Sequence, residues 1–288
     1  MAESHDTKQI SNCNFYSGYS IETTARLDKK SDSYRQLLPG STDVMIAAPN
    51  GASHDLTIQT AIRLRKDGMN PVPHIVARNI PSLDYIETFL DKLQHAAGVD
   101  HVLLIAGDIP NPIGPYQSSM DILKLGILEA RNIKKIGVSG FPEGNPNVND
   151  NKLLDAILWK NEYAARTSSK LYICTQFVFD ASPVISWEQN IRNSGNKLPI
   201  RVGVPGIASL QTLLRLANSS GVGPSVRFIK QNSSNLKSLI SLATPEKLIR
   251  DIMNHCSSNQ SCLIEGIHFF PFGGIEKTSR WIKKQRGL

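Results

Sequence analysis

The 288-residue chain lacks an apolar stretch near the roughly 18 residues that a membrane-crossing helix needs. Its opening segment, Met1 to Asn12, is mostly polar and has no apolar signal-peptide core. A cytoplasmic protein with no membrane partner is expected. Cysteine is scarce: Cys13, Cys174, Cys256 and Cys262 form no C-x-x-C pair, and Cys174 sits inside an apolar run. Free thiols are therefore expected, with neither a disulfide framework nor a zinc site. Also missing are a His-x-x-x-His pair, a nucleophile elbow and a G-x-G-x-x-G turn. Their absence argues against a metallohydrolase, a serine hydrolase and a dinucleotide-binding open sheet. Aromatics make up only 7% of residues and do not interleave with the basic ones. The +7 net charge gathers in part at Lys277, Arg280, Lys283, Lys284 and Arg286. That cluster reads as the solvated face of a last helix, and no nucleic-acid partner is expected.

What the chain does have is a repeated alternation. Hydrophobic residues make up 40%, ample for a core. Short β-prone runs occur at 19–24, 43–48, 72–77, 101–106, 135–139, 171–177, 200–204 and 262–270. Between most of them lie amphipathic stretches. One has Ile58, Ala61 and Ile62 at helical spacing; another starts at Ser82 as N-cap and aligns Ile86, Phe89, Leu90 and Leu93. Further helices are predicted over about 119–130 and 151–166, around Leu210, Leu213, Leu214 and Leu216, around Leu248, Ile249 and Ile252, and in a tail carrying Trp281 and Ile282. Eight strands alternating with helices predict an α/β fold, a single (β/α)8 TIM-like barrel. Residues 15–288 would form the barrel and 1–14 a flexible N-terminal tail.

A TIM barrel carries its site at the C-terminal ends of its strands. Polar and Gly/Pro residues gather there: Glu22, Ala48-Pro49-Asn50-Gly51, His74, Gly107-Asp108-Ile109-Pro110, Gly140 to Pro146, Thr175-Gln176-Phe177, Val204-Pro205-Gly206 and Phe270 to Gly274. Taken singly, each has a plain reading. Glu22 could be an ion-paired rim residue, Asp108 a turn residue, Gln176 a partner for backbone groups, His74 and His268 core histidines, and Phe269, Phe270 and Phe272 packing. Together, two acids, an amide, an imidazole and aromatics suit a flat hydrogen-bonding ring and proton or hydride transfer, with no metal ligand set.

The ordered series Pro73-His74, Gly107 to Pro110, Gly140-Phe141-Pro142-Glu143-Gly144-Asn145-Pro146 and Thr175 to Asp180 resembles the methylenetetrahydrofolate reductase family, over about residues 18–274. The chain looks like the short, catalytic-domain-only form. The resemblance implies an oxidoreductase, with FAD across the rim, that interconverts 5,10-methylenetetrahydrofolate and 5-methyltetrahydrofolate with NAD(P)H as hydride partner, in one-carbon and methionine metabolism. It also implies a homo-oligomer. It assigns Glu22 as the general acid that helps open the folate ring, Asp108 as a carboxylate near flavin and pterin, and Gln176 as an amide on folate. It places His74, Gly107, Phe141, Glu143, Asn145 and Lys160 around the cofactor, and Leu216 against the folate or nicotinamide. The chain departs from the family at Ala106, where better-known members have Arg, at Phe141 and Asn145, at Ala47-Ala48-Pro49 and at Gly274. These departures leave two alternatives in view: a flavin-independent relative with direct hydride transfer, and a non-catalytic folate-binding protein.

Overall fold

In the computed structural model, eight parallel strands close into a barrel in chain order. The structure describes residues 15–28, 33–49, 51–219 and 244–287; the expected tail at 1–14 lies outside the described residues. The strands are β1 Ser20–Thr24, β2 Asp43–Ala47, β3 Asn70–Val76, β4 His101–Ile105, β5 Lys135–Gly140, β6 Lys170–Phe177, β7 Ile200–Pro205 and β8 Ile264–Phe270. Each expected strand is present within two residues of its expected ends.

Helices fill the crossovers. They are α1 Ala25–Asp28 and α2 Tyr34–Leu37 after β1, α3 His54–Lys66, α4 Leu83–Ala97, α5 Ser119–Lys124, α6 Ile127–Ala130, α7 Asp150–Arg166, α8 Ala181–Asn193, α9 Leu210–Ser219, α10 Glu246–Ser258 and α11 Ile275–Gln285. Two differ from expectation for clear local reasons. The helix expected over 119–130 breaks in two because Gly126 takes a left-handed conformation, φ 67°. The buried face of α3 is rotated from the Ile58 stripe toward Thr57, Thr60, Ala61 and Leu64. Its threonine hydroxyls donate to the carbonyls of Ser53 and Leu56, so they can be buried without loss. Helix α4 follows its periodicity: Ser82 Oγ accepts from Tyr85 N, Gly98 caps the end at φ 56°, and Ile86, Phe89, Leu90 and Leu93 are buried.

Strand alternation sorts the side chains into two layers. Ile21, Val44, Ile46, Ile75, Val102, Leu104, Ile136, Val138, Ile173, Val202, Ile267 and Phe269 point outward into the layer beneath the helices. Met45, Val72, Leu103, Tyr172 and Cys174 fill a separate cluster inside the barrel. Gly137 makes room there, since a Cβ at that position would lie 2.7 Å from Tyr172 Oη.

The barrel floor is ionic. Asp43 Oδ2 lies 3.4 Å from Lys135 Nζ, 3.7 Å from His101 Nδ1 and 3.7 Å from Arg201 Nη1, and Asn70 Nδ2 donates to Oδ1. Arg201 continues to Glu265, and Tyr172 Oη lies 2.9 Å from His101 Nε2. Lys135 Nζ also stands 4.9 Å from the centre of the Tyr172 ring. Burial works to raise the Asp43 pKa, but His101, Lys135, Arg201 and the Asn70 amide outweigh it and hold the carboxyl below its usual value. Burial of His101 lowers its pKa to about 3, so the standing positive charges are Lys135 and Arg201.

Because the carboxyl is depressed, its contribution is present above the ordinary value of 3.8 and fades as pH falls through the lower folded value. An Asp43→Asn variant should lose about 3 kcal/mol at pH 7 in urea unfolding, with the difference narrowing in acid. Equal urea midpoints at pH 7 would mean that the floor adds nothing to stability.

Candidate active site at the C-terminal rim

Strand β1 sends Ile21 and Thr23 outward, where Thr23 Oγ1 meets Tyr34 Oη at 3.0 Å, and it turns Ser20 and Glu22 into the barrel. Glu22 Oε2 lies between two imidazoles, 3.7 Å from His74 Nε2 on β3 and 3.9 Å from His268 Nε2 on β8. Its side chain keeps 18% exposure, while His268 is fully buried. Ser20 Oγ and His268 Nδ1 are 3.0 Å apart, which orients that ring. Burial lowers the His74 pKa to about 4; Glu22 opposes the shift and His268 adds to it. His74 is therefore neutral at physiological pH. Among the described residues neither imidazole Nε2 has a hydrogen-bond partner. At 3.7 and 3.9 Å the gaps to Glu22 exceed direct hydrogen bonds, so a water or a substrate atom can enter between them. A carboxyl held beside the neutral His74 imidazole on an open rim can deliver or accept a proton.

The loop after β4 is built with equal care. Gly107 has φ 94°, and a Cβ there would meet Val76 Cγ1 at 2.5 Å, so glycine is demanded by both conformation and packing. Asp108 follows, exposed on the rim. Arg78, just past β3, clamps this loop. Its backbone N–H donates to Ala106 O, its carbonyl accepts from Ile113 N, and its guanidinium donates to Ile109 O and Gln117 O. After β5, Phe141, Glu143 and Asn145 are half-buried in a turn closed by Gly144 N donating to Phe141 O. Asn145 Oδ1 accepts from Asn147 N, which leaves its amide N–H groups for a ligand.

Lys160, on α7, is buried, and burial lowers its pKa to about 8. Among the described residues it has no ion-pair or hydrogen-bond partner. Gln176 sits where the β6–β7 register shifts between Cys174 and Phe177, and Thr175 Oγ1 accepts from Gly203 N across that irregularity. Leu216, on α9, is half-buried. Phe177 meets Phe179, Phe270 and Phe272 edge-on, with centroids 4.9 to 5.8 Å apart.

Of the residues expected at the site, Glu22 and His74 are in mutual contact, while Gly107, Asp108, Phe141, Glu143, Asn145 and Gln176 stand at the ends of neighbouring strands. Lys160 and Leu216 come from the helices that follow β5 and β7. Sequence reasoning left His268 in the core and overlooked Ser20 and Arg78. The signal for His268 and Ser20 was there in strand parity, since both share the inward face with Glu22. A cavity of 910 Å³ lies at the opposite, N-terminal end, with Arg65, Lys134 and Lys135 among its cations. Those cations are already bound to Asn70, Asp100 and Asp43, and this end of a TIM barrel serves stability.

Comparison with known proteins gives the family. The family model described as methylenetetrahydrofolate reductase matches residues 9–276. The chain belongs to the methylenetetrahydrofolate reductase family. Methylenetetrahydrofolate reductase 2 of Saccharomyces cerevisiae is 27% identical over 234 residues, covering 78% of this chain. Methylenetetrahydrofolate reductase 1 of Schizosaccharomyces pombe is 23% identical over 227 residues, covering 75%. The matches span 37% and 35% of those yeast proteins, so this chain corresponds to about a third of their length. A Clostridium thermocellum structure whose protein binds two copies of 5-methyl-5,6,7,8-tetrahydrofolic acid shares the fold, with TM-score 0.66, 15% identity, and 93% of this chain and 94% of that one covered. Among the described residues of this family member, no helix is long and apolar enough to cross a membrane.

The neutral, buried His74 has a consequence for acid stability. The unfolded imidazole takes its proton near 6.5 and the folded one only near 4. The unfolded state therefore binds more protons across that window, and stability is lost as pH falls through it, by on the order of 3 kcal/mol. A His74→Asn variant, which has nothing to titrate, should lose less stability than the parent between pH 6.5 and 4. Parallel losses in urea midpoints would show that His74 does not stay neutral when folded.

Proposed function

We propose that this chain is a flavin-dependent oxidoreductase that interconverts 5,10-methylenetetrahydrofolate and 5-methyltetrahydrofolate, with NAD(P)H as hydride partner. The observation that carries the reading is Glu22 held between two imidazoles at the open rim. It is supported by membership of the family and by the likeness to a methyltetrahydrofolate-binding barrel.

The residues fit a large anionic cofactor. Among the described residues the buried cation Lys160 has no ion-pair partner and the buried His74 Nε2 has no hydrogen-bond partner. FAD would be held by Lys160, His74, the Gly107 backbone, and the Phe141, Glu143 and Asn145 turn. When bound it supplies a hydride carrier between nicotinamide and folate. Glu22 would give a proton to the folate as its five-membered ring opens. Asp108 and Gln176 would orient the pterin, a carboxylate for its donor edge and an amide for mixed donors and acceptors. Leu216 would offer an apolar surface to the flat ring. The proposal includes a homo-oligomer, as is usual in the family.

A flavin-independent relative is the second reading, and Ala106 favours it. The arginine nearest that loop, Arg78, is committed to the carbonyls of Ile109 and Gln117 and is not free for a phosphate.

The visible spectrum of the purified protein separates the two. A flavin band that bleaches under anaerobic NAD(P)H and returns on adding methylenetetrahydrofolate is expected. A colourless protein that takes up no added FAD yet still turns over would establish the second reading, and one without turnover would leave a folate-binding protein. In the flavin enzyme, Glu22→Gln should keep the flavin and its bleaching but lower folate turnover by about 100-fold or more. Wild-type turnover in that variant would remove Glu22 from the proton step.

A further inference from the structure

A second cluster of reactive side chains lies far from the rim, where α8, α10 and the start of β8 meet at the N-terminal end of the barrel. Glu188, on α8, is completely buried. Its Oε1 accepts from Arg192 Nε at 2.8 Å and from Leu263 N at 3.1 Å. Its other oxygen, Oε2, has no hydrogen-bond partner among the described residues and faces His255 Nε2, on the last turn of α10, at 3.9 Å. His255 Nε2 is likewise buried and has no hydrogen-bond partner among the described residues. Cys262, in the short loop between α10 and β8, brings its sulfur into the same group: one ligand atom each from Glu188, His255 and Cys262 all lie within 4.8 Å of one another. A second thiol stands beside them, with Cys256 Sγ 3.0 Å from Cys262 Sγ.

An acid and an imidazole whose purpose was to pair would close to about 2.8 Å. These two stop short of that and leave both facing atoms unsatisfied in a buried place. Their separation is close to the edge of a tetrahedron around one ion, about 3.3 to 3.8 Å for metal bonds of about 2.0 to 2.3 Å. The carboxylate also has the form of a metal ligand, with one oxygen fixed by Arg192 and a backbone N–H and the other left to coordinate. The site is away from the open rim and ties α8 to α10 and to the base of β8, which suits a structural ion and not a catalytic one.

We propose that Glu188, His255 and Cys262 form a structural zinc-class metal site in this protein, with Cys256 or a water as the fourth ligand. Binding would replace the Cys262 thiol proton, and that of Cys256 where it is the fourth ligand, with metal–sulfur bonds; the protons leave to solvent and no oxidation state changes. The sequence shows only part of such a site: His255, Cys256 and Cys262 fall in one short stretch, but Glu188 lies far upstream and meets them only through the packing of α8 on α10.

Metal analysis of the full chain, produced with zinc present and passed over a chelating resin, should find about one zinc per chain. His255→Ala and Cys262→Ser should each weaken retention by about 100-fold or more while circular dichroism stays that of the parent. Cobalt added to the metal-free wild-type chain should give a sulfur-to-cobalt band in the near ultraviolet and visible bands of tetrahedral intensity. That readout needs no variant, so it holds even if a substitution impairs folding. Blocking the thiols of the zinc form should release the ion to a colorimetric chelator. The proposal is overturned by a folded wild-type chain that retains no zinc and gives no cobalt bands. It is overturned equally by folded variants that keep the metal, or by Cys256 and Cys262 found joined as a disulfide in freshly purified chain.

Discussion

The buried Asp43 carboxylate is the constraint around which the barrel is organised. Through Asn70, His101, Lys135 and Arg201 it touches strands β3, β4, β5 and β7 from its own place on β2, and Arg201 extends the network to β8. A closed barrel has to fill its lower interior, and a charged group can be placed there only if every partner is supplied. Here the partners come from strands on opposite sides of the closure. The floor therefore selects a closed, correctly registered barrel over an open sheet, in addition to whatever stability it adds. Tyr172 lies above it and seals the network from the apolar layer of Met45, Val72 and Leu103.

The barrel interior treats polar atoms differently at its floor and at its rim. In the Asp43 network of the floor each charge is matched. At the rim, His74 and His268 keep buried nitrogens without hydrogen-bond partners among the described residues, beside a partly exposed Glu22. Unsatisfied buried groups cost stability and persist where a ligand completes them. The rim also holds backbone with no room for a side chain: Gly107 at positive φ against Val76, and Gly273, where a Cβ would strike the Ile207 carbonyl. The inner layers below carry the stability that lets this upper layer remain incomplete.

Much of this was legible in the sequence. The eight strands announced themselves because parallel barrel strands are buried on both faces and read as dense β-branched runs. The rim residues Glu22, His74 and Asp108 were readable because strand ends in such a barrel are a known address. Other features were not. The α8 helix at Ala181–Asn193 carries Pro183, Ser186 and Asn190 among its apolar residues, and its regularity depends on Asp180 capping Ser182 N. The break at Gly126 looked like a tolerable glycine within one helix. Arg78 could not be recognised as a clamp, since its acceptors are backbone carbonyls, which leave no mark in side-chain identity. His268 was assigned to the core correctly as to burial, but its nearness to Glu22 depends on the closure of β8 onto β1, a contact between strands nearly the whole chain apart.

The Arg78 clamp bears on how a ligand is received. Four hydrogen bonds join this one residue to the β4 loop, so the walls above β3 and β4 are a single body before anything binds. The conformational entropy of that wall is lost during folding and is not charged again on association. A ring system arriving at the rim meets a rigid template on the Asp108 side, and whatever adaptation binding requires falls to the opposite arc, where the ends of β6 and β8 carry the aromatic cluster of Phe177, Phe179, Phe270 and Phe272.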